Sequence, residues 1–276
     1  MKKDIPLAGV IGDPVAHSLS PKLHGHWLAR YGLRGHYIPM RVAQSDLVQV
    51  LRTLPLMGFK GVNVTIPHKE HVLSLADTVT DRAALIGAAN TLTFTGQGRV
   101  QADNTDGSGF LSNIRQSIPG WNATQGPALV LGSGGAAKAI VWALLNDGAP
   151  VVHVANRTRA RADGLKEQFG AKVVPQDWTA IPALVRDAAL IVNTTSLGMQ
   201  GQPPLAVSLS GVKPVTVVTD IVYTPLRTQL LEEAEKHGCQ TVDGLGMLLH
   251  QAVPGFERWF SYTPTVDDEL RAAVLA

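Results

Sequence analysis

Several short segments of this chain gather residue types that recognise phosphate, carboxylate or hydroxyl groups. The apolar run Pro127-Ala128-Leu129-Val130-Leu131 leads straight into Gly132-Ser133-Gly134-Gly135-Ala136-Ala137, and a helical pattern over 139–145 follows before Gly148. The spacing is G-x-G-x-x-A at a strand-to-helix turn. Gly132 suits the tight turn, Gly134 lets backbone approach a pyrophosphate, and the small Ala137 lets helix and strand pack closely. The helix N-terminus adds unpaired N–H groups that favour an anion. Glycine-rich turns also arise for packing alone, so the next strand matters. It ends at Ala155-Asn156-Arg157-Thr158. A site for NAD calls for Asp or Glu there, accepting from the ribose 2′-hydroxyl. Asn156 stands instead, and Arg157, Arg159 and Arg161 fall within five positions. Guanidinium groups match a phosphate in charge and in geometry. This predicts NADP (NADPH) rather than NAD, with a solvated basic turn as the plain alternative.

A second set of polar residues lies earlier. In Gly12-Asp13-Pro14-Val15-Ala16-His17-Ser18-Leu19-Ser20-Pro21 a strand gives way to a helix. Ser18 and Ser20 can donate hydroxyl hydrogen bonds to a small carboxylate, although Ser20 before Pro21 also reads as a helix N-cap. Asn63-Val64-Thr65-Ile66-Pro67-His68-Lys69, Gly87-Ala88-Ala89-Asn90-Thr91 and Asp103-Asn104-Thr105-Asp106-Gly107 each place a polar cluster at an expected strand end. Loops at strand C-termini are where open α/β sheets bind ligands.

Placing these residues requires alternating strands and helices. Strands are expected at 7–11, 36–42 and 61–66. A helix runs from Ser20-Pro21 to Gly32, and another covers 46–54 with Leu47, Val50 and Leu51 on one face. Such alternation implies a mostly parallel sheet. Thr95-Gly96-Gln97-Gly98 reads as a hairpin turn between 91–94 and 99–102. After an uncharged loop at 118–127, a new series of strands is expected at 128–131, 151–155, 172–174, 190–193, 215–221 and 240–242. The helical run after Asp243-Gly244-Leu245-Gly246 has no strand left to feed, so it is expected to return to the first domain. The fold class is α/β with two α/β domains. Residues 1–105 form a substrate domain, 106–243 a Rossmann-like NADP-binding domain, and 244–276 helices that pack back on the first.

Seven segments, G-D-P-V-A-H-S-L-S-P, N-V-T-I-P-H-K, G-A-A-N-T, D-N-T-D-G, G-S-G-G-A-A, N-R-T and D-G-L-G-M-L-L-H-Q, follow one another along the chain. Through them the chain resembles the shikimate dehydrogenase family. The resemblance implies reversible NADP-dependent reduction of 3-dehydroshikimate to shikimate, within aromatic amino acid biosynthesis. It implies that Ser18 and Ser20 bind the substrate carboxylate with Tyr223 nearby, that Thr65, Asn90, Asp106 and Gln251 contact ring hydroxyls, and that Asn63 supports that pocket. Lys69 and Asp106 look like the catalytic pair. Reducing a carbonyl by hydride makes an alkoxide, which an adjacent acid must protonate. A lysine can do this while its charge stabilises the developing anion. Read without the resemblance, Lys69 is equally a surface residue and Asp106 an acid favoured at a helix N-terminus. For the cofactor, the resemblance implies Gly132, Ser133, Gly134, Gly135 and Ala136 at the pyrophosphate, and Asn156, Arg157, Thr158 and Arg161 at the adenosine phosphate. Thr195, Ile221 and Gly244 would approach the cofactor too. The chain departs from the family pattern at His68, where aromatic residues are common, and at Ser133.

Composition narrows the classes. Across 276 residues, 24 Lys and Arg against 22 Asp and Glu leave a formal charge of +2, and only 17% of residues are charged, which argues against nucleic acid as a partner. With 45% hydrophobic residues the chain can fill a core. Met1-Lys2-Lys3 faintly imitates a secretory start, but Asp4, Pro6 and Gly9 spoil an apolar leader. No run is apolar for long enough to span a membrane. The lone cysteine, Cys239, permits no intrachain disulfide and suggests a cytoplasmic protein. His24/His26 and His68/His71 lack a third ligand at metal-site spacing. The sequence is compatible with a monomer or a homodimer. Two other readings stay open: a quinate or dual-specificity dehydrogenase, and a non-catalytic sensor that binds shikimate or NADP.

Overall fold

Short apolar runs broken by glycine and proline give strands β1 (Leu7–Gly12), β2 (His36–Arg41), β3 (Phe59–Val64), β4 (Thr78–Val79), β5 (Thr91–Phe94) and β6 (Val100–Asp103). In the computed structural model, which describes residues 5–276, they assemble in the order β2-β1-β3-β5-β6-β4. The charged start Met1-Lys2-Lys3-Asp4 lies outside the described residues. β1 pairs in parallel with β2 and β3, and β4 with β6, whereas β3–β5 and the β5–β6 hairpin are antiparallel. Helices α1 (Ser20–Arg30), α2 (Leu47–Thr53), α3 (Val72–Leu75) and α4 (Asp81–Ile86) connect them. By its internal contacts the chain divides into two units, one comprising the residues up to Asp106 together with Leu248–Ala276, the other Gly107–Met247.

In the first unit, Ile11, Val62, Val64 and Leu92 of the sheet bury against Leu47 and Leu51 of α2 and Val72 of α3. A second layer is aromatic. His24 stacks on Tyr37 with ring centroids 3.9 Å apart and planes 5° from parallel, and Trp27 meets Phe256 edge-on at 5.1 Å. Indole N–H groups tie this layer to backbone: Trp27 Nε1 donates to the Thr265 carbonyl at 3.0 Å, and Trp259 Nε1 to that of Leu92 at 3.1 Å. Gly61 makes room for the latter, since a Cβ there would stand 2.1 Å from Trp259 Nε1. Each fully buried aromatic contributes about 1.5–3 kcal/mol by leaving water.

One expectation at α1 is corrected. Leu19, not Ser20, is the N-cap, and Ser20 is the first helical residue, with no capping bond from its side chain. Ser18, just outside the helix, accepts at Oγ from the Ser20 N–H at 3.3 Å. Two residues of separation let a serine hydroxyl close such a turn on the helix entrance.

The second unit opens with α5 (Asp106–Ser117), whose first residue belongs to the first unit. Strands β7 (Ala128–Leu131), β8 (Val152–Ala155), β9 (Val173–Gln176), β10 (Leu190–Asn193), β11 (Val217–Asp220) and β12 (Gln240–Val242) form a second sheet, in the order β12-β11-β10-β7-β8-β9. Every pairing is parallel. β7, β10 and β11 are buried at every position, as expected of strands covered on both faces. Helices α6 (Gly135–Asn146), α7 (Arg159–Phe169), α8 (Ile181–Leu184) and α9 (Gln229–Lys236) complete the unit. From β7 the chain winds outward through β8 to β9, then returns to β10 on the other side of β7. That reversal creates a crevice at the C-terminal ends of β7 and β10, the ligand position of doubly wound sheets. Pro203 and Pro204 interrupt the β10–β11 connection, which has no helix and is anchored by buried Leu205, Leu209 and Val212. α10 (Leu245–Phe260) and α11 (Asp268–Leu275) end the chain, and the boundary between units falls inside α10. Among the described residues no helix is long and apolar enough to cross a membrane.

Candidate active site

In the first unit, the ends of β3, β5 and β6 and the middle of α10 converge on one buried polar network. Its centre is Asn90, 2% exposed, on the turn before β5. The Asn90 Nδ2 group donates to Asp106 Oδ1 at 2.8 Å, Thr105 Oγ1 at 2.9 Å and Gln251 Oε1 at 3.1 Å. Its Oδ1 accepts from the Thr105 N–H at 2.8 Å. Thr105 passes its own hydroxyl proton to the Gln251 carbonyl at 2.8 Å. Lys69 Nζ donates to Asp106 Oδ2 at 2.6 Å, so both oxygens of that carboxylate are engaged. The Asp106 side chain is only 7% exposed and that of Lys69 20%. A charge-assisted bond in so sheltered a place is stronger and better fixed than a surface pair.

Local backbone sets this geometry. Asp106 opens α5, and its N–H donates to Asn104 Oδ1 at 3.0 Å, while Asn104 Nδ2 donates to the Ala88 carbonyl at 2.8 Å. The Lys69 carbonyl accepts from the Ala89 N–H at 2.7 Å. His68, fully buried, places Nε2 2.7 Å from the Val42 carbonyl and so fixes the turn that carries Lys69.

The network extends towards α1. Tyr37 donates its phenolic proton to Asn63 Oδ1 at 2.7 Å, and Asn63 Nδ2 donates to the Asn90 carbonyl at 3.2 Å. Burial raises the Tyr37 phenol above its ordinary range, with a hydrogen bond to Ser20 acting in the opposite sense. Tyr37, Asn63, Asn90, Asp106, Lys69 and Gln251 are thereby connected. Ser18 adjoins Ser20 through the N–H it accepts, and Thr65 packs on Gly12, where a Cβ would lie 2.3 Å from its Cγ2. Tyr223 belongs to the second unit, where burial raises its phenol. Sequence reasoning missed Tyr37 and Thr105. Thr105 stands inside the Asp103–Gly107 cluster, whereas a tyrosine in a strand carries no signal beyond amphipathicity.

In the second unit, Gly132 adopts φ +110°, and a Cβ there would meet Thr194 Oγ1 at 2.6 Å and Thr195 Cγ2 at 2.9 Å. Thr195 is held by Asn193, whose Oδ1 accepts its hydroxyl proton at 2.7 Å. The loops after β7 and β10 therefore touch. At Gly134 a Cβ would meet nothing within 4 Å, so protein packing does not explain that glycine. Gly134 is also the N-cap of α6 and supplies no side-chain cap, leaving the first N–H groups of Gly135 and Ala136 for an anion beside Ser133. These features fit a pyrophosphate.

At the end of β8, Asn156 Nδ2 donates to the Thr158 carbonyl at 2.9 Å, which shapes the turn. Arg157 and Arg161 are exposed, and among the described residues neither has an ion-pair partner. Arg159 is different. It pairs with Asp163 at 3.1 Å and Asp177 at 3.2 Å, so it drops out of the expected arginine trio. Asp177 lies on another connection, beyond the reach of local sequence reading. Asn156, Arg157, Thr158 and Arg161 present amide, hydroxyl and guanidinium donors, a set that suits the 2′-phosphate of NADP and offers no acid for a free ribose 2′-hydroxyl. Gly244 packs on Ile221, its position allowing a Cβ only 2.4 Å from the Ile221 carbonyl. Asp220, 1% exposed, stabilises that segment by accepting from Asn193 at 2.9 Å, the Val222 N–H at 3.0 Å and Thr228 at 2.8 Å; burial raises its carboxyl pKa. Among the described residues no group of three or more His, Cys, Asp or Glu is placed to hold a metal.

Known proteins match both parts of the chain. A family profile described as "Shikimate dehydrogenase substrate binding domain" matches residues 10–92, and one described as "Shikimate / quinate 5-dehydrogenase" matches residues 114–199. Over 272 residues the chain is 78% identical to the shikimate dehydrogenase (NADP(+)) of Jannaschia sp. (strain CCS1), covering 99% of this chain and 98% of the relative. It is similar to the solved structure of shikimate 5-dehydrogenase from Thermus thermophilus in complex with NADP(H) and shikimate, with TM-score 0.86, 36% identity and 98% of both chains covered. It is similar also to quinate dehydrogenase from Corynebacterium glutamicum in complex with NAD, with TM-score 0.91, 31% identity and 99% of both chains covered. Identity of this extent, sustained across both units, shows that the chain belongs to the shikimate dehydrogenase family.

Proposed function

We propose that this chain catalyses the reversible NADP-dependent reduction of 3-dehydroshikimate to shikimate, with Lys69 and Asp106 as its acid–base pair. The observation that carries the residue assignment is the 2.6 Å bond from Lys69 Nζ to Asp106 Oδ2, with Asn90 on the other oxygen. NADPH, when bound, supplies the hydride. As the substrate carbonyl becomes an alkoxide, the Lys69 ammonium stabilises the charge and delivers the proton. Asp106 and Asn90 hold that ammonium in place, and in the reverse direction the neutral amine accepts the hydroxyl proton. Thr65, Asn90 and Gln251 offer hydroxyl and amide groups to the ring hydroxyls, Asn63 supports them, and Ser18 and Ser20 offer hydroxyl donors to the carboxylate. Residues 1–105 form the substrate half in this reading, 106–243 the cofactor half, and the 244–276 segment adds Gln251 to the substrate half. Gly132 to Ala136 hold the pyrophosphate, and Asn156, Arg157, Thr158 and Arg161 the 2′-phosphate. The protein works in the cytoplasm on small molecules, without nucleic acid.

The similarity to a quinate dehydrogenase supports a second reading, in which quinate is also a substrate. Initial rates with shikimate or quinate, each with NADP or NAD, separate the two. Rapid NADP reduction by shikimate alone is the expected result. Equal rates with quinate make the enzyme dual-specific, efficient use of NAD refutes the arginine assignment, and binding without turnover in all four mixtures leaves the sensor reading.

A further inference from the structure

We propose that Asp103, clamped by Arg82 and Arg258, is a positioning residue that holds Asn90, Asp106 and Gln251 in register; the proposal rests on the substrate-site reading above. Asp103 is fully buried, yet its carboxylate meets donors on every side. Oδ1 accepts from Thr80 Oγ1 at 2.8 Å, Arg82 Nε at 2.6 Å and the Asn104 N–H at 2.8 Å. Oδ2 accepts from Arg82 Nη2 and from Arg258 Nη2, the latter at 2.6 Å. Burial works to raise its pKa, but the hydrogen bonds from Arg82, Arg258 and Thr80 outweigh it and hold the carboxyl well below the usual range. The group is an ion at neutral pH.

What the clamp joins matters more than its strength. Arg82 belongs to α4, which stops at Gly87 in a left-handed turn and delivers Asn90 three residues later. Asp103 ends β6, and Asp106 follows three residues on. Arg258 lies seven residues after Gln251 in α10, two turns along the same face. One carboxylate thus ties together the three segments that supply the amide, the acid and the second amide of the network. Backbone reinforces it, the Asn90 N–H donating to the Asp103 carbonyl at 3.0 Å. None of the three clamp residues hydrogen-bonds to Lys69 or to the Asp106 carboxylate, so the effect is transmitted through the segments they anchor. A buried ion cluster is a poor source of stability compared with apolar packing, but its bonds are directional and fix position.

The test uses the whole chain with Arg258→Gln, Arg258→Lys, Arg82→Lys and Asp103→Asn, and Lys69→Met as a reference. kcat, the KM values for shikimate and for NADP, and thermal stability are measured for each. Arg258→Gln is expected to lower kcat about tenfold or more and to raise the KM for shikimate, because misplacement by about 1 Å is already costly. The KM for NADP stays within about twofold of wild type. Arg258→Lys recovers most of the rate, since an ammonium can replace a single bond from Nη2. Arg82→Lys does not, because it loses the two-pronged grip, and Asp103→Asn is at least as slow as Arg258→Gln. Wild-type kcat and KM in Arg258→Gln with only a lower Tm would overturn the proposal and leave a structural ion pair. Should Arg258→Gln and Asp103→Asn fail to fold, the two lysine variants decide, and equal wild-type rates in both would overturn it. Lys69→Met separates the premises: normal turnover there refutes the catalytic reading itself, whereas its loss beside a normal Arg258→Gln refutes only the clamp.

Discussion

Replacing Lys69 by Met removes the proposed proton donor while keeping an apolar stem of similar length. Without the acid, the alkoxide must take its proton from water, and general acid catalysis is worth about 10² to 10⁴ in rate. A hundredfold loss corresponds to about 2.7 kcal/mol in the barrier. The structural cost is smaller than the roughly 3–5 kcal/mol of a fully buried broken pair. Lys69 is one-fifth exposed, so water can reach Asp106 Oδ2, while Asn90 keeps its bond to Oδ1. About 1–2 kcal/mol of stability is the expected loss after this screening. The assay is initial NADPH formation with saturating shikimate and NADP, beside calorimetric titration with shikimate and a melting curve. kcat should fall by about a hundredfold or more, and shikimate affinity by less than about tenfold. Wild-type turnover would refute the acid role. A loss confined to affinity, with the rate recovered at saturation, would make Lys69 a binding group instead.

Arg157→Ala should raise the KM for NADPH roughly 10- to 100-fold, the worth of a charge-assisted phosphate contact, and leave that for NADH almost unchanged; steady-state kinetics with both cofactors would refute the assignment if the two rose together. Gly134→Ala should fold with unchanged Tm but bind NADP more weakly, because the new methyl enters open space above the α6 N-terminus. Gly132→Ala, at φ +110° and against Thr194, should lower Tm as well, so matched melting and titration curves for the pair test the cradle. His24 gives a pH prediction. Burial pushes its pKa down to about 3, below the 6.5 of a free imidazole. The unfolded chain therefore gains a proton first as pH falls, and stability is lost from about pH 6.5 downward at about 1.4 kcal/mol per pH unit from this group. His24→Phe, which preserves the stack on Tyr37, should flatten the Tm profile between about pH 4 and 6, and parallel profiles would refute it.

How much of this is legible in the linear chain depends on whether local chemistry or distant contact decides. The turn at Gly132-Ser133-Gly134 is legible because its φ and its open space are local requirements of a strand-to-helix turn. The β5–β6 hairpin is legible for the same reason. Arg159 is only half so: Asp163, four residues on, is a local partner, but Asp177 comes from the connection after β9. Ser20 reads as a cap in the sequence but is not one, because the helix already begins at Ser20, with Leu19 as its N-cap and the Ser20 N–H donated back to Ser18 Oγ. The polar clusters at strand ends announce Asn90 and Asp106 but not the arginine that grips Asp103 between them, since Arg258 reaches it across 155 residues of sequence. The return of α10 follows from a helix with no strand to serve. The burial of His24 against Tyr37, by contrast, looks in the sequence like any polar position on a helix.

The division of the chain also bears on how the molecule is made. The second unit is one uninterrupted stretch, Gly107–Met247, while the first is assembled from both ends of the polypeptide. During synthesis, the sheet built from β1 to β6 emerges early but must wait for α10 before Trp259 can reach Leu92 and Phe256 can reach Trp27. Until then the aromatic face of that sheet lacks its cover, and Asp103 has only one of its two arginines. The contiguous unit can close first, since its pairings need no residue from beyond it. Truncation within the last thirty or so residues should therefore spare the nucleotide-type fold and strand the earlier half in an open, chaperone-dependent state.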